Sequence, residues 1–173
     1  VDARNALEYA KYYIPSASPT GMEPSAATST PTPSPTPTTQ TGVWTAKSEL
    51  YCTNSILSCV SLDSIIYAID NAGNIYSYDT GTDKWVKKGT LNPNTVDLNQ
   101  KLNLVALNNK IYIIAGNSRK VYEYDPSNGK ITEKAPVLSD RAGCAALAYD
   151  NKIYVSGGED PLSAKTFEVY NPL

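Results

Sequence analysis

Three near-copies of one passage constrain this chain more than any other feature it carries. In the middle copy, Leu107-Asn108-Asn109-Lys110-Ile111-Tyr112-Ile113-Ile114-Ala115-Gly116 is followed by a polar turn and then Lys120-Val121-Tyr122-Glu123-Tyr124-Asp125-Pro126. In the last copy, Tyr149-Asp150-Asn151-Lys152-Ile153-Tyr154-Val155-Ser156-Gly157-Gly158 precedes Thr166-Phe167-Glu168-Val169-Tyr170-Asn171-Pro172. The first is looser: Leu62-Asp63-Ser64-Ile65-Ile66-Tyr67-Ala68-Ile69-Asp70, then Asn74-Ile75-Tyr76-Ser77-Tyr78-Asp79, closing on Lys84-Trp85. Tyr67, Tyr112 and Tyr154 are 45 and 42 residues apart, and Tyr78, Tyr124 and Tyr170 are 46 and 46 apart. A period of that length marks an array whose units bury their apolar faces only against one another.

Within each copy the residues read as β-strands. Leu104-Val105-Ala106-Leu107 is apolar on both sides, as a strand packed between neighbouring sheets must be. The Asn-Lys or Asp-Ser pair before each isoleucine, Asn109-Lys110, Asn151-Lys152 and Asp63-Ser64, is expected to supply a hairpin turn. Glycines after the second strand allow backbone conformations that side chains forbid. The tyrosine ending the third strand and Trp85 on a fourth are expected to supply apolar area between units. Ile131 stands seven residues after Tyr124 as Trp85 does after Tyr78, so each copy is expected to finish with an outer strand. Trp44 precedes Trp85 by 41 residues, which makes Val43-Trp44 a candidate last strand of a unit whose other strands lie elsewhere.

These pieces carry a resemblance. Arg141-Ala142-Gly143 before a first strand, Lys152-Ile153-Tyr154-Val155 leading to Gly157-Gly158, and the Tyr124-Asp125-Pro126 and Tyr170-Asn171-Pro172 turns make residues 43–173 resemble kelch repeats. The last copy is the strongest, the middle one has Ala115-Gly116 in place of the glycine pair, and the first has Ile69-Asp70. The resemblance implies an all-β, kelch-type β-propeller with about three blades in an incomplete ring, since such rings usually close with six or seven. A longer polypeptide, of which this is a part, is the expected source of the missing blades; ring closure by two or more chains is the alternative.

Composition shifts sharply upstream of the repeats. From Pro15 to Gly42 there are seven prolines, many Ser and Thr, no Lys or Arg, and one acid, Glu23. Thr30-Pro31-Thr32-Pro33-Ser34-Pro35-Thr36-Pro37-Thr38-Thr39 can form neither helix nor ladder and reads as an extended tether. Stretched fully, residues 15–42 would span about 80 Å. Stalks of this kind suit a secreted or cell-surface protein, with Thr30, Thr32, Ser34, Thr36, Thr38 and Thr39 as candidates for O-glycosylation.

In residues 1–14, Ala3, Ala6, Leu7, Ala10 and Ile14 fall at helical spacing behind Asp2 as an N-cap, which predicts an amphipathic helix. Val1-Asp2-Ala3-Arg4-Asn5-Ala6-Leu7 with Lys11-Tyr12 also resembles the second half of a dockerin repeat. That resemblance implies a bacterial, cellulosome-associated protein with a cohesin partner reached through an intact upstream dockerin. Asn5 stands where that family has an acidic calcium ligand, and calcium needs six to eight oxygens. A plain capped helix is the alternative. The opening at Val1, without an initiator methionine, points to a processed chain or a piece of one.

Charge and residue types narrow the function. Lys plus Arg is 15 and Asp plus Glu is 17, giving a net charge of −2 with no basic stripe, which argues against a nucleic-acid partner. No apolar run approaches the roughly 20 residues of a membrane-spanning helix. Some kelch-like propellers are enzymes, notably copper radical oxidases of the galactose oxidase type and sialic acid mutarotases. This chain has no histidine, and it shows no phosphate loop, nucleophile elbow, metal-ligand cluster or paired carboxylates. No enzyme activity and no cofactor are expected. Three cysteines do not suggest a disulfide framework. Cys144 reads as a buried thiol, whereas Cys52 and Cys59 would bridge only in an oxidising compartment.

The expected function is a non-catalytic binding module of a secreted or cell-surface bacterial multi-domain protein, presenting loops to a polysaccharide or a protein. The candidate loops join second and third strands: Asn117-Ser118-Arg119 and Glu159-Asp160-Pro161-Leu162. Asp140, near them, reads as a solvated charge. The alternative is a self-assembling structural subunit, a homo-oligomer in which the helix or the blade edges dock into neighbouring copies.

Overall fold

The computed structural model describes residues 42–92 and 101–172. The chain divides into two units, Val1–Val43 and Trp44–Leu173. The helix expected at 1–14, and the tether through residue 41 with its candidate glycosylation sites, lie outside the described residues.

The second unit consists of three antiparallel sheets in series. Blade 1 runs β1 (Ile56–Leu62), β2 (Ile65–Asp70), β3 (Asn74–Asp79) and β4 (Lys84–Thr90). Blade 2 runs β5 (Asn103–Leu107), β6 (Lys110–Ile114), β7 (Val121–Asp125) and β8 (Lys130–Lys134). Blade 3 runs β9 (Ala145–Tyr149), β10 (Lys152–Ser156) and β11 (Phe167–Tyr170). Within each blade every strand pairs with its sequence neighbours, β1 lies against β5, and β5 lies against β9. The first strands of the blades thus sit side by side while the later strands fan outward, as in a propeller.

Alternation along the strands explains the packing, because residues two apart share a face. One face of blade 2, Leu104, Ile111, Ile113, Tyr122 and Tyr124, closes on Tyr67 and Ile69 of blade 1. Its other face, Val105, Leu107, Tyr112 and Ile114, closes on Ile153 and Val155 of blade 3. The third-strand tyrosines span the gaps as expected: Tyr124 meets Tyr67 edge-on at 6.3 Å, and Tyr170 meets Tyr112 at 6.0 Å. Trp85 differs from expectation. It packs on Tyr78 of its own blade at 4.9 Å, fixing the outer strand to the third rather than blade to blade.

The hairpin turns also correct the expectation, by one residue. In the second and third copies the turn pairs are Asn108-Asn109 (φ 51° and 59°) and Asp150-Asn151 (φ 48° and 55°), not Asn109-Lys110 and Asn151-Lys152. A two-residue turn with both central residues left-handed matches the strand twist, and Asn and Asp tolerate that conformation where lysine does not. The lysines instead open the next strands, Lys110 opposite Leu107 and Lys152 opposite Tyr149. Asp63-Ser64 is the turn in the first copy, as expected.

Val43-Trp44 forms no strand: residues 42–50 carry none, and both side chains are fully exposed. Ser48 nevertheless anchors the segment to blade 1. Its N–H donates to Asp83 Oδ1 (3.0 Å), its hydroxyl to the Asp83 carbonyl (2.6 Å), and its own carbonyl accepts from Trp85 Nε1 (3.0 Å). Cys52 and Cys59 are free thiols, and Cys144 is buried as expected.

Candidate functional site

The two loops singled out from the sequence lie on adjacent blades, and the structure ties both to one connection. Gly116–Ser118 forms a single 3-10 turn that ends on Arg119 in the left-handed region. The Gly116 carbonyl accepts the Arg141 N–H (2.7 Å), and the Arg119 carbonyl accepts the Val137 N–H (3.0 Å). From the other side, the Glu159 N–H donates to the Ala142 carbonyl (2.8 Å). The crossing from β8 to β9 is therefore clamped between the loops. Gly116 makes the approach feasible: a Cβ there would lie 2.4 Å from the Lys101 carbonyl oxygen and 3.1 Å from Ala142 Cα. Gly158, the repeat equivalent, sits at φ 149°, where side chains are strained, and faces Ser163.

The resulting surface is an open depression of about 500 Å³ lined by Asp140, Ala142, Glu159 and Asp160. Three of the four lining residues are carboxylates. Glu159 pairs with Lys101, but both side chains are mostly exposed, so the pair adds little stability. Asp160 is partly structural, since its Oδ1 accepts the Leu162 N–H (2.7 Å) and its carbonyl accepts the Ser163 and Ala164 N–H groups (2.9 Å each). Arg119 is exposed beside Leu138, whose carbonyl it approaches at 3.4 Å. Only the backbone of Asn117 is described. Among the described residues no group of three or more His, Cys, Asp or Glu is placed to hold a metal ion.

Behind the depression stands a buried ion pair that the sequence did not single out as a unit. Arg141 is wholly buried, bonds Glu168, and donates from Nη1 to the carbonyls of Gly157 (2.6 Å) and Ser163 (3.2 Å). Glu168 also accepts from the Leu138 N–H (2.8 Å) and the Ser139 hydroxyl (3.3 Å). Burial pushes the Glu168 carboxyl up, but these hydrogen bonds and the guanidinium outweigh it and hold the group below the usual range. The pair joins the lead-in to β9, the β10–β11 loop and β11, and so ties together the segments that carry Asp140, Ala142, Glu159 and Asp160.

Blade 1 solves the same problem differently. Asp70, fully buried, accepts from the N–H groups of Ala72 (2.9 Å) and Asn74 (2.8 Å), from Asn74 Nδ2 (2.8 Å), Asn54 Nδ2 (3.2 Å) and the Tyr76 hydroxyl (3.0 Å). Burial raises its pKa and this set of donors more than offsets the rise, leaving it low. A signal for both networks was present in the repeat. Asp70 takes the place of Gly157, and Glu168 takes the place of Tyr76 and Tyr122, so each marks a departure from the common pattern.

A family model described as the Kelch motif matches residues 140–173. The chain is 27% identical over 100 residues to mouse Kelch-like protein 35, covering 58% of this chain and 17% of that protein. It is 35% identical over 81 residues to the Caenorhabditis elegans spermatocyte protein spe-26, covering 40% and 14% respectively, and 36% identical over 72 residues to Pongo abelii Kelch-like protein 23, covering 39% and 13%. The chain thus spans less than a fifth of the length of these curated relatives. With three antiparallel sheets in series, a matched Kelch motif and similarity to kelch-like proteins, this chain carries a kelch-repeat segment.

Proposed function

We propose that the chain is a non-catalytic protein-binding module whose docking surface is the loop end formed by Gly116–Arg119, Asp140 and Gly158–Leu162. One observation carries the reading: loops of two adjacent blades are clamped to a shared connection, so that Asp140, Glu159 and Asp160 are held around one open depression. Rigid scaffolds present binding loops in this way. Grouped carboxylates select a partner presenting lysine or arginine, and they raise the association rate at low salt. A polysaccharide would be gripped by exposed aromatic faces, and the depression has none in its lining.

The extracellular or cell-surface setting belongs to the same proposal and is supported by the Pro/Thr-rich composition of residues 15–42. A cohesin as anchoring partner is supported only by the resemblance of residues 1–14.

The test is recovery of partners on immobilised chain, followed by affinity measurements with Asp140→Lys and Glu159→Lys at low and moderate salt. Each reversal is expected to weaken binding about tenfold or more at low salt, because like charges face each other across the contact. Equal recovery and affinity by the reversed variants would rule out this surface.

A further inference from the structure

We infer that Lys101 is a built-in competitor at the loop surface: its ammonium group occupies Glu159, and a basic side chain of a partner must displace it to bind there. The inference rests on the binding surface proposed above and adds how access to it is controlled.

Two departures from the repeat meet in this contact. Counted from the aligned Tyr67, Tyr112 and Tyr154, the places equivalent to Lys101 hold Ile56 and Gly143, and those equivalent to Glu159 hold Ala72 and Asn117. Only blade 2 puts a cation at the first place and only blade 3 a carboxylate at the second, and these two side chains bond each other. Blade 1 forms its four strands with neither charge, so the fold of a blade does not require the pair.

Both residues have fixed mounts. The Lys101 carbonyl oxygen lies so near Gly116 that a Cβ on that glycine would come within 2.4 Å of it, which seats Lys101 beside the loop of its own blade. Glu159 is held through its N–H bond to the Ala142 carbonyl (2.8 Å). Its side chain lies on Gly143, where a Cβ would stand 2.9 Å from Oε1 and 3.1 Å from Cγ. The carboxylate is thereby kept at the depression's wall, within reach of Lys101.

The contact itself is loose. The two side chains are 71% and 55% exposed, and a solvated pair of this kind is held weakly. Three backbone hydrogen bonds, Arg141 to Gly116, Val137 to Arg119 and Glu159 to Ala142, already close the joint that the pair spans. Lys101 is therefore not what holds the loops together. Its effect is to neutralise one of the three carboxylates that a cationic partner would meet, so binding there is an exchange of one cation for another.

The test is an amide-resolved NMR titration of the 173-residue chain with an amidated tetra-arginine peptide at low salt. Lys101→Met keeps the length of the side chain and removes its charge. It is expected to bind about two- to fivefold more tightly than the wild type, with the largest shifts at Ala142, Glu159 and Asp160. Its urea midpoint is expected to be unchanged. The same substitution in a Glu159→Gln background is expected to give less than half of that gain, since no pair is left to break. An equal gain in both backgrounds overturns the proposal, because it reports net charge alone, and a lowered urea midpoint overturns it by making the pair a structural tie. No gain in Lys101→Met, with binding still weakened by Asp140→Lys, overturns the competitor and leaves the loop surface standing. Absence of shifts at these residues in both chains overturns the loop surface and the competitor together.

Discussion

Replacing Glu168 by glutamine keeps the shape of the side chain and removes the charge that faces Arg141. Arg141 is wholly buried and the Glu168 side chain is 12% exposed, so water cannot compensate the guanidinium. Removing one partner of a fully buried pair costs about 3–5 kcal/mol. Here Nη1 still donates to the Gly157 and Ser163 carbonyls, which places the loss near the lower end, at about 3 kcal/mol. Against a total stability of about 5–15 kcal/mol this is a large fraction. With a urea slope of about 2 kcal/mol/M, the unfolding midpoint should fall by about 1.5 M.

The acid dependence follows from the depressed carboxyl. A group whose folded pKa lies below its unfolded value contributes stability above the unfolded value, about 4.3 for glutamate, and loses it as pH falls through the folded one. The gap between wild type and Glu168→Gln should therefore be full at pH 7 and shrink progressively below about pH 4.3. Urea titrations followed by far-ultraviolet circular dichroism at stepped pH measure both quantities. A gap below about 0.5 kcal/mol at pH 7, the scale of ordinary surface substitutions, would refute the reasoning, as would one independent of pH. Arg141→Met/Glu168→Leu should recover much of the loss, because an apolar pair leaves no orphaned charge.

Two further outcomes test the local geometry. Gly116→Ala should destabilise by about 1–3 kcal/mol, read as a lower urea midpoint, because its Cβ meets the Lys101 carbonyl oxygen, which is backbone and cannot swing aside. Alkylation of the folded chain followed by peptide mass mapping should modify Cys59 quickly and leave Cys144 untouched until denaturant is added, since Cys144 is buried and its thiol pKa is raised mainly by that burial.

Much of the blade was legible in the residues themselves. The three copies, their turn pairs and the tyrosine spacing placed the strands, and the pairing of Tyr78 with Trp85 and Tyr124 with Ile131 follows the repeat. The turn was misplaced by one residue because Asn108 and Asn109 are adjacent, and only the left-handed φ of both shows which pair the hairpin uses. The candidate loops were identified as separate segments. That Asp140 joins Glu159 and Asp160 around one depression depends on the Gly116–Arg141 and Ala142–Glu159 hydrogen bonds, which link residues 25 and 17 positions apart. No local pattern encodes such contacts.

The sequence by itself determined the all-β class, the blade-sized repeat and the apolar strand faces, because these follow from local periodicity and turn chemistry that every copy restates. Tertiary structure decided where the copies differ. Buried charges need partners, so Asp70 gathered donors from Asn54, Asn74 and Tyr76, while Arg141 found Glu168 across the blade although its Nε has no partner among the described residues. Those partners are chosen by proximity in the folded sheet stack, which becomes defined only when blade packs on blade.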